Sequence, residues 1–342
     1  MSAHRLTAPL SALAASVVLS AAAGNAAAAD PMTAAGAIDR ALRSVVSVLP
    51  VWQSRPARGP GRDPAYGGGQ RAPLAPEGSG IAILPGGFVA TADHVLRDAK
   101  NVRVRLSDGR ILSARVVGRH KPTDIALLKV EVKLPAFEIT VQPSLATPVC
   151  AIGNQFGLGL SVTCGVVSAR HRSGTGFNPI EDFVQTDASV NPGGSGGALV
   201  DGKGRLVGMV SAIFTKESDA NVGINFATSA RLIRRVADDL KDHGVVREGT
   251  IGLEAGPLSE RDPAGLVGVT VVQVERDGAA FAAGAEAGDI ITAVDGRPVI
   301  TPDAFRAALF LKRPGDAIRL RLKRSGKTQN ISLRVVPSTA KP

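Results

Sequence analysis

Aromatic residues are scarce. Trp52 and Tyr66 are the sole members of their types, and rings make up 4% of the 342 residues. With 44% apolar content the chain can fill two domain cores, but those cores must be aliphatic. It also lacks the interleaving of rings and cations on which nucleic-acid bases stack, so the formal charge of +10 points to no nucleic-acid partner. Its cations alternate with apolar positions, as in Arg103-Val104-Arg105 and Arg319-Leu320-Arg321, which is the solvent face of strands. Cysteine is equally sparse: Cys150 and Cys164 are too few and too far apart for a zinc site, and no metal or organic cofactor is expected. The pair flanks the turn region Gly153 to Gly159. A cross-strand disulfide in an oxidising compartment and two small buried thiols are both open readings.

A long apolar span is missing at the N-terminus too. Arg5 opens a short basic region, Leu10 to Ala23 is weakly apolar and broken by Ser11, Ser16 and Ser20, and Ala27-Ala28-Ala29 offers small residues for cleavage. Residues 1–29 therefore read as a signal peptide, with mature protein from about Asp30 in the periplasm. An uncleaved membrane anchor is the alternative, for which the apolar stretch falls short of about 20 residues.

What is present is a serine built for exposure. Asn191-Pro192-Gly193-Gly194-Ser195-Gly196-Gly197 places glycine pairs on both sides of Ser195, where only glycine tolerates the backbone angles and close approaches of a tight loop. A serine hydroxyl needs a base to take its proton, and the oxyanion formed on attack needs N–H donors, which Gly193 and Ser195 can supply. Upstream, His94 ends an apolar stretch and Asp124 opens another. The order His94, Asp124, Ser195 is that of base, orienting acid and nucleophile in chymotrypsin-type double-barrel proteases. Gly193-x-Ser195-x-Gly197 also fits the α/β-hydrolase elbow, with Asp219 or Asp239 and then His243 downstream. That elbow needs a strand before and a helix after, whereas here Pro192 precedes the serine and a hairpin around Asp201-Gly202 follows.

Along the chain, apolar spacing over 34–48 (Ile38, Leu42, Val45, Val46) predicts a leading helix. Residues 53–77, rich in Arg, Pro and Gly, predict a mobile loop. Short alternating strands with tight turns follow, at 101–106, 110–118, 124–132, 150–152, 161–169 and 183–186, then a helix over 231–243 stopped by Gly244. The expected fold is mainly β: a double β-barrel over 30–246, then a separate unit over 250–336.

Gly78-Ser79-Gly80, Thr91-Ala92-Asp93-His94-Val95, Thr123-Asp124-Ile125-Ala126-Leu127-Leu128, Ala151 to Gly159 and Gln185 to Gly197 resemble, in order, the motifs of the HtrA (Deg) serine proteases. The series from Thr250-Ile251-Gly252-Leu253 to the helix after Thr301-Pro302 resembles that family's PDZ domain, present once. The resemblance departs at Ala92-Asp93, where the family usually has Asn-Asn, and at Gln155, Gly194 and Ala198. It implies a serine endopeptidase acting on unfolded or damaged envelope proteins, with a homo-oligomer, a trimer by resemblance, as its assembly. It implies a substrate pocket from Ala212, Ile213, Gly223, Ile224, Asn225 and Phe226, which offers no acid to pair with Lys or Arg. It implies a PDZ carboxylate loop at Ile251, Gly252 and Leu253 that takes peptides with free C-termini, and a sensor role for Arg172. A binding protein without proteolysis and a narrow regulatory protease are the alternatives.

Overall fold

The computed structural model describes residues 31–51, 78–213, 223–258 and 265–338. The signal peptide expected over 1–29 and the loop expected over 53–77 lie outside the described residues. Strands β1 (Val45–Val51), β2 (Gly78–Leu84), β3 (Phe88–Ala92), β4 (Asn101–Arg105), β5 (Ile111–His120) and β6 (Ile125–Val130) close a first barrel in the order β1-β2-β3-β6-β5-β4. Their period-two pattern decides what faces inward: Val102 and Val104 are buried on β4 while Asn101 and Arg103 stay in water. Strands β7 (Pro148–Gly153), β8 (Ser161–Arg172), β9 (Phe183–Thr186), β10 (Ala198–Asp201), β11 (Leu206–Ile213) and β12 (Asn225–Ser229) close a second, in the order β10-β11-β12-β9-β8-β7. Both barrel interiors are almost wholly aliphatic, as the composition requires.

The leading helix is shorter than expected. Helix α1 runs Pro31–Leu42 and is followed by β1, so Val45 and Val46 belong to a strand rather than to a helical stripe. Val45, Val46 and Val48 are stiff at χ1 and suit a pleated ladder, and pairing with β2 and β4 completes the barrel wall. Helix α2 is a single turn, Asp93–Leu96. Helix α3 (Ala230–His243) begins where the Ser229 hydroxyl accepts the Leu232 N–H at 3.2 Å and ends at Gly244 in the left-handed conformation. Its Leu232, Ile233, Val236 and Leu240 cover Ile81, Leu127, Ile152 and Leu206 between the barrels. Cys150 and Cys164 face one another across β7 and β8 and form a disulfide.

The C-terminal unit contains β13 (Gly249–Thr250), β14 (Leu253–Gly256), β15 (Val269–Val274), helix α4 (Ala279–Ala282), β16 (Ile290–Val294), β17 (Arg297–Pro298), helix α5 (Pro302–Phe310), β18 (Ala317–Arg324), β19 (Lys327–Arg334) and β20 (Val336–Pro337). The main sheet runs β14-β15-β16-β18-β19, with β17 on β16, while β13 pairs with β20. Strand β14 is thus an edge: among the described residues it pairs with β15 alone. Thr301 caps α5 by accepting the Ala304 N–H at 3.1 Å, with Pro302 in the permitted first turn.

Helix α5 also joins the two units. Phe310 and Leu311 enter the inter-barrel cluster, and the Phe310 ring stacks on His120 at 5.4 Å beneath the Arg235 guanidinium at 5.5 Å. Beyond it, Arg313 Nε donates to Asp239 Oδ1 at 3.0 Å. A second tie centres on the buried Asp182. Its carboxylate accepts from Ser229 Oγ (2.7 Å), His171 Nδ1 (2.9 Å) and Arg297 of β17 (3.2 Å). Burial pushes this carboxyl up, but the His171 hydrogen bond and the Arg297 charge outweigh it and hold it below its usual value. A depressed folded value means the tie is fully present above the unfolded carboxylate value of about 3.9 and is lost as pH falls through the folded one. Asp182→Ala is expected to cost about 3–5 kcal/mol near neutral pH, since it leaves the Ser229 hydroxyl and the partly buried His171 and Arg297 without their shared acceptor. Denaturant unfolding should show the gap to the parent protein narrowing in acid; a gap independent of pH would refute the assignment.

Candidate active site

Asp124 follows the 3-10 turn Lys121–Thr123 in the left-handed conformation, φ 54. This aims its carboxylate back at α2, where it accepts His94 Nδ1 at 2.6 Å and the His94 backbone N–H at 2.8 Å. The Asp124 carbonyl also accepts the Asp93 N–H at 3.0 Å. An ionised carboxylate only accepts, so the proton sits on Nδ1 and Nε2 is left as a base. The histidine is half exposed, with its side chain 49% accessible, while that of Asp124 is 13% accessible.

Ser195 comes from the second barrel, on the loop before β10. Gly193 (φ 90) and Gly196 (φ 86) are left-handed, and a Cβ at Gly196 would lie 2.0 Å from the Ser79 carbonyl oxygen. Glycine is therefore required on both counts. The Gly194 N–H is spent on the Asn191 carbonyl at 2.9 Å. Those of Gly193 and Ser195 have no acceptor among the described residues, so two donors on one loop stay available. Ser195 Oγ donates to the Ser211 carbonyl at a long 3.4 Å, and no hydrogen bond joins it to His94 among the described residues. The structure thus makes the His94–Asp124 half of the constellation and leaves the serine half unmade.

Ser79, which sequence reasoning did not single out, joins the barrels here. Its N–H donates to the Ser195 carbonyl (2.8 Å) and its hydroxyl to the Gly193 carbonyl (2.8 Å), while it accepts the Asn154 N–H (2.8 Å). Thr91, three residues before His94, donates to the Ser79 carbonyl at 2.7 Å. From the other side, the Phe156 N–H donates to the Pro192 carbonyl (2.7 Å) and Asn191 to the Gln155 side chain (2.7 Å). The only signal for Ser79 was its place between Gly78 and Gly80.

The residues expected to wall a pocket fall together. Ala212 faces Phe226, and Ile213 faces Asn225, in the β11–β12 register. Asn225 is buried and donates to the Ala188 carbonyl at 3.0 Å, while Gly223 and Ile224 lead into β12 half-buried. Phe226 packs on Phe183 and Phe177, with ring centres 5.6 and 5.8 Å away.

Arg172 ends β8, exposed, and donates to Gln185 Oε1 at 3.3 Å. Its neighbour His171 is the one that reaches Asp182. The adjoining loop is shaped by Glu181, another residue that sequence reasoning missed, whose carboxylate accepts the N–H groups of Thr175, Phe177 and Asn178 and the Thr175 hydroxyl at 2.7–2.9 Å. In the C-terminal unit Ile251 is fully buried, and Gly252 (φ 70) turns its N–H onto the Thr250 hydroxyl at 3.1 Å. Leu253 then begins the edge strand. No grouping of metal-ligating side chains occurs among the described residues.

Two closed six-stranded barrels, with a histidine–carboxylate pair on one and a glycine-bound serine on the other, define the chymotrypsin-like class, here followed by a PDZ domain. The trypsin-like peptidase domain family matches residues 78–209 and the PDZ domain family matches residues 237–335. Among solved structures, an HtrA-type protease AlgW with tripeptide is 32% identical and superposes with a TM-score of 0.68, over 90% of this chain and 98% of that one. A serine endoprotease from Yersinia pestis is 31% identical with a TM-score of 0.57, over 90% and 99%. The chain belongs to the HtrA family of serine proteases. The periplasmic serine endoprotease DegP of Escherichia coli K12 is 38% identical over 283 residues, which are 80% of this chain and 60% of DegP. The periplasmic pH-dependent serine endoprotease DegQ of the same organism is 34% identical over 273 residues, 77% and 60% respectively. The chain spans about 60% of the length of these curated relatives.

Proposed function

We propose that this protein is an exported serine endopeptidase that cleaves unfolded or damaged proteins of the bacterial envelope. The observation that carries the reading is the 2.6 Å bond from His94 Nδ1 to Asp124, which leaves Nε2 as a base on the side of the site open to solvent. Ser195 Oγ, turned from the Ser211 carbonyl to His94, attacks the scissile carbonyl; His94 takes its proton and passes it to the leaving amine, while Asp124 fixes the tautomer. The Gly193 and Ser195 N–H groups, which have no other acceptor among the described residues, stabilise the oxyanion. Ser195 Oγ rests 3.4 Å from the Ser211 carbonyl and has to turn to meet His94, and a narrow regulatory protease is the second reading.

The PDZ domain takes peptides with free C-termini along the open edge of β14, with the carboxylate near Ile251 to Leu253. Arg172 would carry that event to the Gly193 loop, its planar fork suiting it to grip several carbonyls. Periplasmic relatives support export, and no helix among the described residues is long and apolar enough to cross a membrane. A homo-oligomer, trimeric by resemblance, is the expected working state.

The test is to incubate the protein with an unfolded substrate and sequence the fragments. Cleavage is expected after Val, Ala or Ile, graded by about 1–3 kcal/mol per methylene as an apolar pocket allows. Fragment ends dominated by Lys or Arg would refute the pocket, and no fragments at all would refute the enzyme.

A further inference from the structure

The turn that carries His94 cannot hold itself. Helix α2 has four residues, no side-chain N-cap at Ala92, and an exit at Arg97 (φ 43, ψ −118) outside the helical region. A single turn fixes several dihedrals for very few hydrogen bonds and is unstable alone. On one side Asp124 takes its first two N–H groups. The other side is gripped by a side chain of β5 in the same barrel. Arg119, late on β5, hydrogen-bonds through Nε and one terminal nitrogen to both carboxylate oxygens of Asp93, the second at 3.0 Å. The same nitrogen reaches the Asp93 carbonyl at 3.2 Å, and the other terminal nitrogen reaches the Arg97 carbonyl at 2.6 Å. One planar fork thus spans the turn from first residue to exit.

We infer that Arg119 is a positioning residue for catalysis, which with Asp93 fixes the rotation of the turn and so the direction of His94 Nε2. Asp93 offers the fork two oxygens, so a two-point anchor stands immediately before the base. Asp93 is buried, 8% accessible at the side chain, while Arg119 reaches it from the surface with its own side chain 31% accessible, so the carboxylate end of the pair is shielded from water and the guanidinium end is partly wet. Hydrogen bonding to Asp93 holds the guanidinium more firmly charged than an ordinary arginine, against the cost of its partial burial, and the charge of Asp124 adds to the effect. The fork touches neither the serine loop nor the pocket walls. Its loss should therefore change the chemical step and spare substrate binding.

The inference rests on His94 being the base, and the experiment separates the two. The full chain and its His94→Ala, Arg119→Ala, Arg119→Lys and Asp93→Asn variants are assayed on one peptide substrate, with thermal melting and the rate of Ser195 labelling by a fluorophosphonate. Arg119→Ala is expected to lower kcat by about 10²-fold, the scale of a small misplacement of a catalytic group, with KM unchanged and labelling slowed in parallel. Arg119→Lys, which keeps the charge but loses the fork, should recover part of kcat. Asp93→Asn leaves the two carbonyl contacts and should fall between parent and Arg119→Ala, which tests the idea in a folded protein if Arg119→Ala proves unstable. Full kcat in Arg119→Ala or in Asp93→Asn, or a loss seen wholly in KM, would overturn the inference. Turnover surviving in His94→Ala would instead remove the assignment of the base.

Discussion

Ser195→Ala and His94→Ala are each expected to lower kcat on an unfolded substrate by about 10⁵–10⁶-fold, because nucleophile and base act as one unit and neither retains value without the other. Asp124→Ala is expected to cost less, on the order of 10⁴-fold, since it removes the orienting carboxylate and leaves the reacting pair. The geometry gives the ranking its basis here: Asp124 holds His94 through both ring and backbone N–H, so its loss frees the imidazole without deleting it. Substrate binding should persist in Ser195→Ala, measured as capture of an unfolded protein without fragments. Turnover in a clean preparation of that variant would overturn the site and favour a binding protein without proteolysis.

The second large effect is expected at Gly193→Ala, with kcat lowered by about 10²–10³-fold, the scale of losing one oxyanion donor. The reason is spatial. At φ 90 an added Cβ would stand 2.3 Å from the Asn154 carbonyl oxygen, and that carbonyl belongs to the β7–β8 tip that braces Pro192. Backbone cannot retreat as a flexible side chain would, so the peptide at 193 must rotate and carry its N–H out of the site. Gly202→Ala, where nothing lies within 4 Å, is the control and should match the parent protein. Chromogenic-peptide kinetics with melting curves decide it: full turnover in Gly193→Ala would remove Gly193 from the oxyanion assignment.

Much of this architecture was legible in the chain because barrels announce themselves locally. Val102 and Val104 alternate with Asn101 and Arg103, Asp201-Gly202 marks its hairpin, and Gly244 ends α3, all of it readable within a few residues. Val45 and Val46 misled for the same reason: two apolar neighbours fit a helical face as well as a strand, and only pairing with β2 and β4, distant in sequence, decides between them. The candidate site divides likewise. His94, Asp124 and Ser195 stand in an ordered set of motifs, and Ser79 shows only as a serine between two glycines, whereas Glu181 and Arg119 grip backbone N–H and carbonyl groups that carry no sequence mark. Cys150 and Cys164 needed the β7–β8 register to be joined. The resting contact of Ser195 with Ser211 is a rotamer, a feature no residue pattern encodes.

Helix α5 belongs by sequence to the peptide-binding unit and by packing to the protease. A chain cut after Val246 would keep both barrels and lose the plug formed by Phe310 and Leu311, leaving His120 and Arg235 over an opened apolar seam. Tolerance to change should therefore follow the seam and not the domain border, with the tip of α5 as intolerant as the barrel interiors it seals.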